Sequence, residues 1–175
     1  MSLSRGTVQV YTGDGKGKTT AALGQALRAC GHGFRVLMIQ FMKGSKNYGE
    51  LLSSESVPGL EIVQKGLPTF VKKGEPGEED LRLAAEGLEL ARKAVREGKH
   101  DILILDEINV AVDYGLLQVD DVLEIIGEKP DGMEIILTGR YAPQEFIDAA
   151  DLVTEMKEIK HHFASGLEMR EGIEF

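Results

Sequence analysis

The chain has 175 residues, 42% of them hydrophobic and 28% charged, with a formal net charge of −9 and a single cysteine, Cys30. That length suits one domain, expected over residues 1–175, and the acidic balance argues against a nucleic-acid partner, whose phosphates need Lys and Arg. One cysteine excludes an internal disulfide and fits a reducing compartment, the cytoplasm by default; MSLSRG lacks a signal peptide's apolar core, and no apolar run reaches the ~20 residues of a membrane span, so no membrane partner is expected.

Short β-branched runs alternate with stretches of helical period, the pattern of a parallel sheet covered by helices. The first strand is expected over Val8 to Thr12, followed by the glycine-rich TGDGKGKTT, Thr12 to Thr20. A helix over Thr19 to Cys30 places Ala22, Leu23, Ala26, Leu27 and Cys30 on one face, and Gly31 and Gly33 end it. Arg35 to Phe41 reads as a strand, Lys43 to Gly49 as an irregular loop, and Leu60 to Gln64 as a third strand. Gly66 to Gly77 is a second loop rich in Gly, Pro and Lys, of the kind that lies at the carboxyl edge of such sheets.

The clearest helix, Glu79 to Glu97, opens with acids near the positive end of its dipole and repeats Leu81, Ala84, Ala85, Leu88, Ala91 and Val95 on its apolar face. Asp101 to Asp106, Glu134 to Thr138 and Leu152 to Glu155 complete the strands, and Val119 to Glu128 and Pro143 to Ala150 read as shorter helices. Lys160 to Phe175 has little periodicity and is a tail or a lid. The expected class is α/β: a three-layer P-loop NTPase-like (RecA-like) fold with a mainly parallel central sheet of about six strands.

TGDGKGKTT has the chemistry of a phosphate cradle. Glycines let backbone N–H groups turn inward, a helix adds its positive end, Lys18 reaches phosphate oxygens and Thr19 offers a hydroxyl to Mg²⁺. The pattern G-x-x-x-x-G-K-[ST] is missed by one place, because Thr12 stands where glycine is expected and Gly13 follows. Gly13, Gly15 and Gly17 are expected to permit φ > 0 and close ligand approach.

In HDILILDEIN, the apolar strand delivers Asp106 and Glu107 at its carboxyl end, where a P-loop protein places the acid that organises Mg²⁺. If the strand continues, the two acids point to opposite sides, one to the metal and one to a neighbouring loop. ILTGR ends another strand with Arg140, a candidate phosphate clamp. Adjacent His161 and His162 lack zinc-ligand spacing, and no G-x-S-x-G context supports a Ser-His-Asp triad.

Taken together, TGDGKGKTTAALGQALRA, QFMKG, LDEINVAVDYGLL, LTGRYAP, ADLVTEM and KHHFASGLEMREGIEF resemble the P-loop type ATP:cob(I)alamin (corrinoid) adenosyltransferase family over nearly the whole chain, Gly6 to Phe175. The resemblance implies transfer of the 5′-deoxyadenosyl group of ATP to Co(I) of a reduced corrinoid, with the triphosphate leaving intact. It implies that Gly13, Asp14, Gly15, Lys16, Gly17, Lys18, Thr19 and Thr20 hold the triphosphate, and that Thr19 and Glu107 hold Mg²⁺ (or Mn²⁺) with Asp106 close by. Lys16 and Arg140 are then phosphate contacts, Arg28 lies near the nucleotide, and Phe70 assists at the corrinoid. An electron-donating, flavodoxin-like reductase and a homodimer are expected on the same basis.

Three departures stand out. Asp14 replaces a frequent asparagine, Pro68-Thr69-Phe70 replaces a Phe-Thr-Trp type segment in a chain with no Trp, and the first strand begins almost at once, so that the site's cover is expected to be short, absent or supplied by a partner subunit. A phosphotransferase or ATPase cleaving at the γ-phosphate, and a carrier that binds without turnover, share the loop and the acids and are the alternatives.

Overall fold

The structure, a computed structural model, describes residues 3–175. Met1 and Ser2, the first two letters of MSLSRG, lie outside them. Among the described residues six strands form one sheet in the order β3-β2-β4-β5-β1-β6, and every neighbouring pair is parallel. They are β1 (Val8–Thr12), β2 (Val36–Phe41), β3 (Leu60–Lys65), β4 (Ile102–Asp106), β5 (Glu134–Thr138) and β6 (Leu152–Glu155). The helices are α1 (Lys18–Gly31), α2 (Gly49–Ser54), α3 (Glu78–Glu97), α4 (Ile108–Asp113), α5 (Val119–Gly127) and α6 (Gln144–Ala149).

The strands β2, β4 and β5 are buried on both faces, which is why they read as continuous apolar runs rather than as alternating ones. On one face Tyr11, Val36, Met38, Ile102, Ile104 and Ile136 pack against Ala22, Ala26 and Ala29 of α1. On the other, Val10, Leu37, Ile39, Leu103, Leu105, Ile135 and Leu137 pack with Ala84, Leu88, Ala91 and Val95 of α3, Val122 and Ile125 of α5, and Phe146 of α6. The result is the expected three-layer α/β arrangement.

Two helix faces differ from the periodicity. Leu27 is 59% exposed, because α1 presses small residues at i, i+4 and i+7 onto the sheet and leaves its leucine on the flank. In α3, Leu81 and Ala85 are exposed and Gly87 and Ala94 are buried instead. A Cβ on Gly87 would come within 2.7 Å of Phe41 Cε1, so the missing side chain sets how closely α3 approaches β2. The short α2 and α4 carry too few turns to show a period, and they lie in stretches to which the sequence reading gives no element, from the end of the Lys43 to Gly49 loop and after the strand ending at Asp106.

All six strands point their carboxyl ends the same way, and β5 lies between β1, which feeds the glycine-rich loop, and β4, which ends in acids. Leu103→Ala should lower stability by about 2–5 kcal/mol in urea unfolding, since the side chain is fully enclosed on the α3 side. A loss below about 1 kcal/mol would mean that this face is loosely packed.

Candidate functional site

The glycine-rich loop turns between β1 and α1 with Gly13 at φ 95° and Gly17 at φ 121°, conformations that L side chains rarely adopt. Its glycines answer to the protein as well as to a ligand. A Cβ on Gly13 would lie 2.5 Å from the Met156 carbonyl oxygen, and one on Gly15 would lie 2.7 Å from the same atom. Gly15 N–H donates to that oxygen at 2.6 Å. The chain leaving β6 therefore braces the loop from behind; of the three glycines Gly13 and Gly17 use positive φ, and Gly15 serves the close approach instead.

Lys18 opens α1 and is buried, its ammonium donating to the carbonyl oxygens of Gly13 and Gly15, both at 2.7 Å. Burial lowers its pKa, Glu107 opposes this, and the Arg140 charge adds to the lowering. The first N–H groups of α1 have no carbonyl one turn back, so they remain donors at the positive end of the helix. Lys16, Asp14 and Thr20 lie exposed along the same loop.

The carboxylate of Asp106, wholly buried, is the centre of the site. Its Oδ1 accepts from Thr19 Oγ1 at 2.8 Å and Thr138 Oγ1 at 2.7 Å; its Oδ2 accepts from Lys43 Nζ at 2.7 Å and Gln40 Nε2 at 3.4 Å. Gln64 Nε2 donates to Gln40 Oε1 at 3.1 Å, so a polar rung runs across the carboxyl ends of β3, β2, β4 and β5. Strand register produces it, because Gln40 pairs with Gln64 on one side and with Asp106 on the other.

The strand does not continue past Asp106. Glu107 takes a left-handed conformation at φ 61° and starts α4, so both acids face one group of cations. Burial and the charge of Asp106 raise the pKa of Glu107, against Lys43, Lys18 and Arg140. Lys43 is held above the ordinary lysine range: burial would lower it, but the charge and hydrogen bond of Asp106 outweigh that, helped by Glu107 and Glu50.

Arg140 is exposed beyond Gly139, which has φ 130°, and it has no ion-pair partner among the described residues. Asn109 aims this turn by donating from Nδ2 to the Gly139 carbonyl at 3.0 Å.

Two expected residues lie outside the loop and its acid cluster. Arg28 sits near the far end of α1, ten residues and about 15 Å of helix from Lys18. It borders a cleft of about 370 Å³ with Arg5, His32 and Glu134, away from the phosphate loop. The helix axis carries it there, as the ten-residue spacing along a helix requires. Phe70 is 98% exposed, on the loop that leads into α3. That loop is tied down beside it: Val71 packs on the core, and Lys73 pairs with Asp113 at 2.6 Å while lying 5.9 Å from the Tyr114 ring and 5.3 Å from that of Tyr141. The C-terminal stretch forms a 3-10 turn over His162–Ser165, His162 pairs with Glu174 at 3.4 Å, and Phe175 comes back to the start of α2.

Lys43, Gln40 and Thr138 are the site residues that sequence reasoning missed. Lys43 lies in QFMKG and Thr138 in LTGR, but only the parallel register shows that their side chains meet at Asp106.

The oxygen set of Thr19, Asp106 and Glu107 suits a hard divalent cation. No group of three or more His, Cys, Asp or Glu able to hold a metal occurs among the described residues, so a cation here would need further oxygen ligands from outside the protein.

A glycine-rich loop of phosphate-loop type, an acid-bearing strand with one strand between, and an arginine without an ion-pair partner among the described residues, all on a parallel α/β sheet, define a P-loop NTPase-like protein. A model of the ATP:corrinoid adenosyltransferase BtuR/CobO/CobP family matches residues 4–175, and the chain belongs to that family. It is 35% identical to the corrinoid adenosyltransferase of Escherichia coli strain K12 over 98% of this chain and 86% of that protein. It is 34% identical to the corrinoid adenosyltransferase of Pseudomonas aeruginosa over 98% and 84%, and 34% identical to Salmonella typhimurium corrinoid adenosyltransferase CobA over 98% and 86%.

Gly15→Ala should weaken ATP binding at least about tenfold in calorimetric titration, because its Cβ would strike the Met156 main chain. Gly24→Ala, inside α1 with open space around its Cβ, should stabilise by about 0.4–1 kcal/mol and leave binding unchanged.

Proposed function

We propose that the chain, as a single P-loop domain over residues 1–175, transfers the 5′-deoxyadenosyl group of ATP to Co(I) of a reduced corrinoid: cob(I)alamin, cobinamide or cobyrinic acid a,c-diamide. Tripolyphosphate is released, in adenosylcobalamin biosynthesis or salvage. The Co(I) electron pair forms the bond to C5′, the C5′–O bond breaks with its pair going to the triphosphate, and cobalt ends two electrons more oxidised.

The observation that carries this reading is the convergence, at one sheet edge, of the stretches that mark the family: Gly13 to Thr20, Lys43, Asp106 to Asn109, Thr138 to Arg140 and Met156. Asp106 there is held by two hydroxyls, an ammonium and an amide, an arrangement suited to placing charge rather than to taking a proton from a substrate. With cobalt as its own nucleophile no general base is required, and the protein's work is positioning and charge stabilisation.

Lys18 and the first N–H groups of α1 grip the triphosphate, and Lys16 and Arg140 add charge from the open side. Negative charge on the leaving group grows towards the transition state, so these cations act on kcat more than on ATP binding. Mg²⁺ or Mn²⁺, held by Thr19 and Glu107 with Asp106 beside them, would neutralise phosphate charge when bound. Asp14, exposed on the loop, keeps its place among the triphosphate-holding residues, and Arg28, ten residues along α1, lies apart from them.

Phe70, bare to solvent on a tethered loop, is available to meet the corrinoid's lower face. The reductant is an electron-donating protein of the flavodoxin type, and the compartment is the cytoplasm; no helix among the described residues is long and apolar enough to cross a membrane. A homodimer belongs to the proposal, with β6 as the surface it covers, since all four β6 residues are exposed, Leu152 and Val153 among them.

The test is anaerobic incubation of MgATP with Co(I) forms of the three corrinoids, following Co–C bond absorbance and the phosphate product. The proposal expects alkylcobalt formation with stoichiometric tripolyphosphate; ADP without tripolyphosphate would sink it. Lys18→Ala should remove detectable turnover from a folded protein, and Phe70→Ala should slow adenosylation starting from Co(II) more than transfer to preformed Co(I). Equal losses in those two assays would argue against a lower-face role for Phe70.

A further inference from the structure

The role of Lys43 is built into the backbone around it. Met42, just before it, is a non-glycine residue held at φ 58°. A Cβ on Gly44 would come within 2.3 Å of the Gly66 carbonyl oxygen, and one on Gly66 within 2.4 Å of the Lys43 nitrogen. Met42 N–H also donates to Lys65 O at 3.2 Å. The loops after β2 and β3 thus interlock at two glycines, and the lock aims Lys43 at Asp106 Oδ2 with its side chain only 14% exposed. The Tyr48 ring lies 5.5 Å from the ammonium on another side.

Asp106 has little capacity left in this arrangement. Its Oδ1 serves two hydroxyls, one of them Thr19, and its Oδ2 serves Lys43 and Gln40. A divalent cation arriving alone beside Thr19 would meet a buried ammonium already on the same carboxylate, two like charges sharing one counter-charge. A triphosphate changes that balance, because it brings enough negative charge to satisfy both cations. The lysine stem is flexible enough to swing its charge from one anion to the other.

We propose that Lys43 is the resident counter-ion of Asp106 in the nucleotide-free protein, excludes a divalent cation until nucleotide arrives, and then moves its charge onto the triphosphate. The metal accordingly enters with ATP rather than before it. This rests on the phosphate-loop reading of the site and deepens it, making Lys43 a phosphate contact that also orders the binding of metal and nucleotide.

Lys43→Met keeps an unbranched stem without the charge, and Lys43→Arg keeps the charge. Mn²⁺ titration of nucleotide-free protein by electron paramagnetic resonance, and calorimetric titration of tripolyphosphate with metal chelated, read the two halves of the exchange without turnover or corrinoid. The methionine variant should bind Mn²⁺ at least about tenfold more tightly and metal-free tripolyphosphate at least about tenfold more weakly. The arginine variant should stay within about threefold of wild type in both titrations, with circular dichroism showing both variants folded. Unchanged Mn²⁺ affinity or unchanged tripolyphosphate affinity in Lys43→Met would overturn the exchange. Failure of the wild type itself to bind tripolyphosphate would refute the underlying phosphate-loop reading and the exchange with it.

Discussion

One buried carboxylate holds this site together. Asp106 is fully enclosed at the end of a central strand, where an unpaired charge would be prohibitive, and four donors from four separate elements converge on it. Thr19 ties it to the start of α1, Thr138 to β5, Gln40 to β2, and Lys43 to the loop after β2. Because the phosphate loop precedes Thr19 directly, its position relative to the acid strand is set through this carboxylate. The all-parallel register makes such a meeting possible, since it brings polar residues at the carboxyl ends of neighbouring strands to one level on the α1 face.

Around that centre the cradle is shaped from two sides. Behind it, the Met156 carbonyl occupies the space that side chains at positions 13 and 15 would need, so β6 and the loop are mutually dependent. In front, Arg140 reaches the open side from a turn braced by Asn109, and the loop carrying Phe70 is strapped across the same edge by Lys73 on Asp113. The stretches DEIN, TGR and ADLVTEM, far apart in the chain, are therefore parts of one structure. Charge placement dominates its chemistry, which fits a reaction whose nucleophile arrives with the substrate.

Much of this was legible in the sequence. The order of strands along the chain, four of the helices, the glycine-rich loop despite Thr12, and the acid-ended strand all follow from residue type and period. What was hidden depended on three-dimensional register. Lys43 read as one lysine among several in a loop, and nothing in its spacing announces that Met42 and Gly66 aim it inward. Glu107 was expected to diverge from Asp106, and a single left-handed residue reverses that. The resemblance sets Arg28 near the nucleotide, and the helix carries it ten residues away from the loop. Leu27 and Leu81 fit an apolar period, yet small residues make the actual contacts because they allow the helices to approach the sheet closely.

The dependence of the site on the Asp106 charge is most directly tested by a double-mutant cycle in urea unfolding: Asp106→Asn, Lys43→Met and the pair together. Asp106→Asn alone should cost about 3–5 kcal/mol, because it leaves the Lys43 ammonium buried without its counter-charge. Adding Lys43→Met should recover much of that loss, giving a coupling energy above about 1.5 kcal/mol. Simple additivity of the two single losses, or a wild-type stability for Asp106→Asn, would contradict the account.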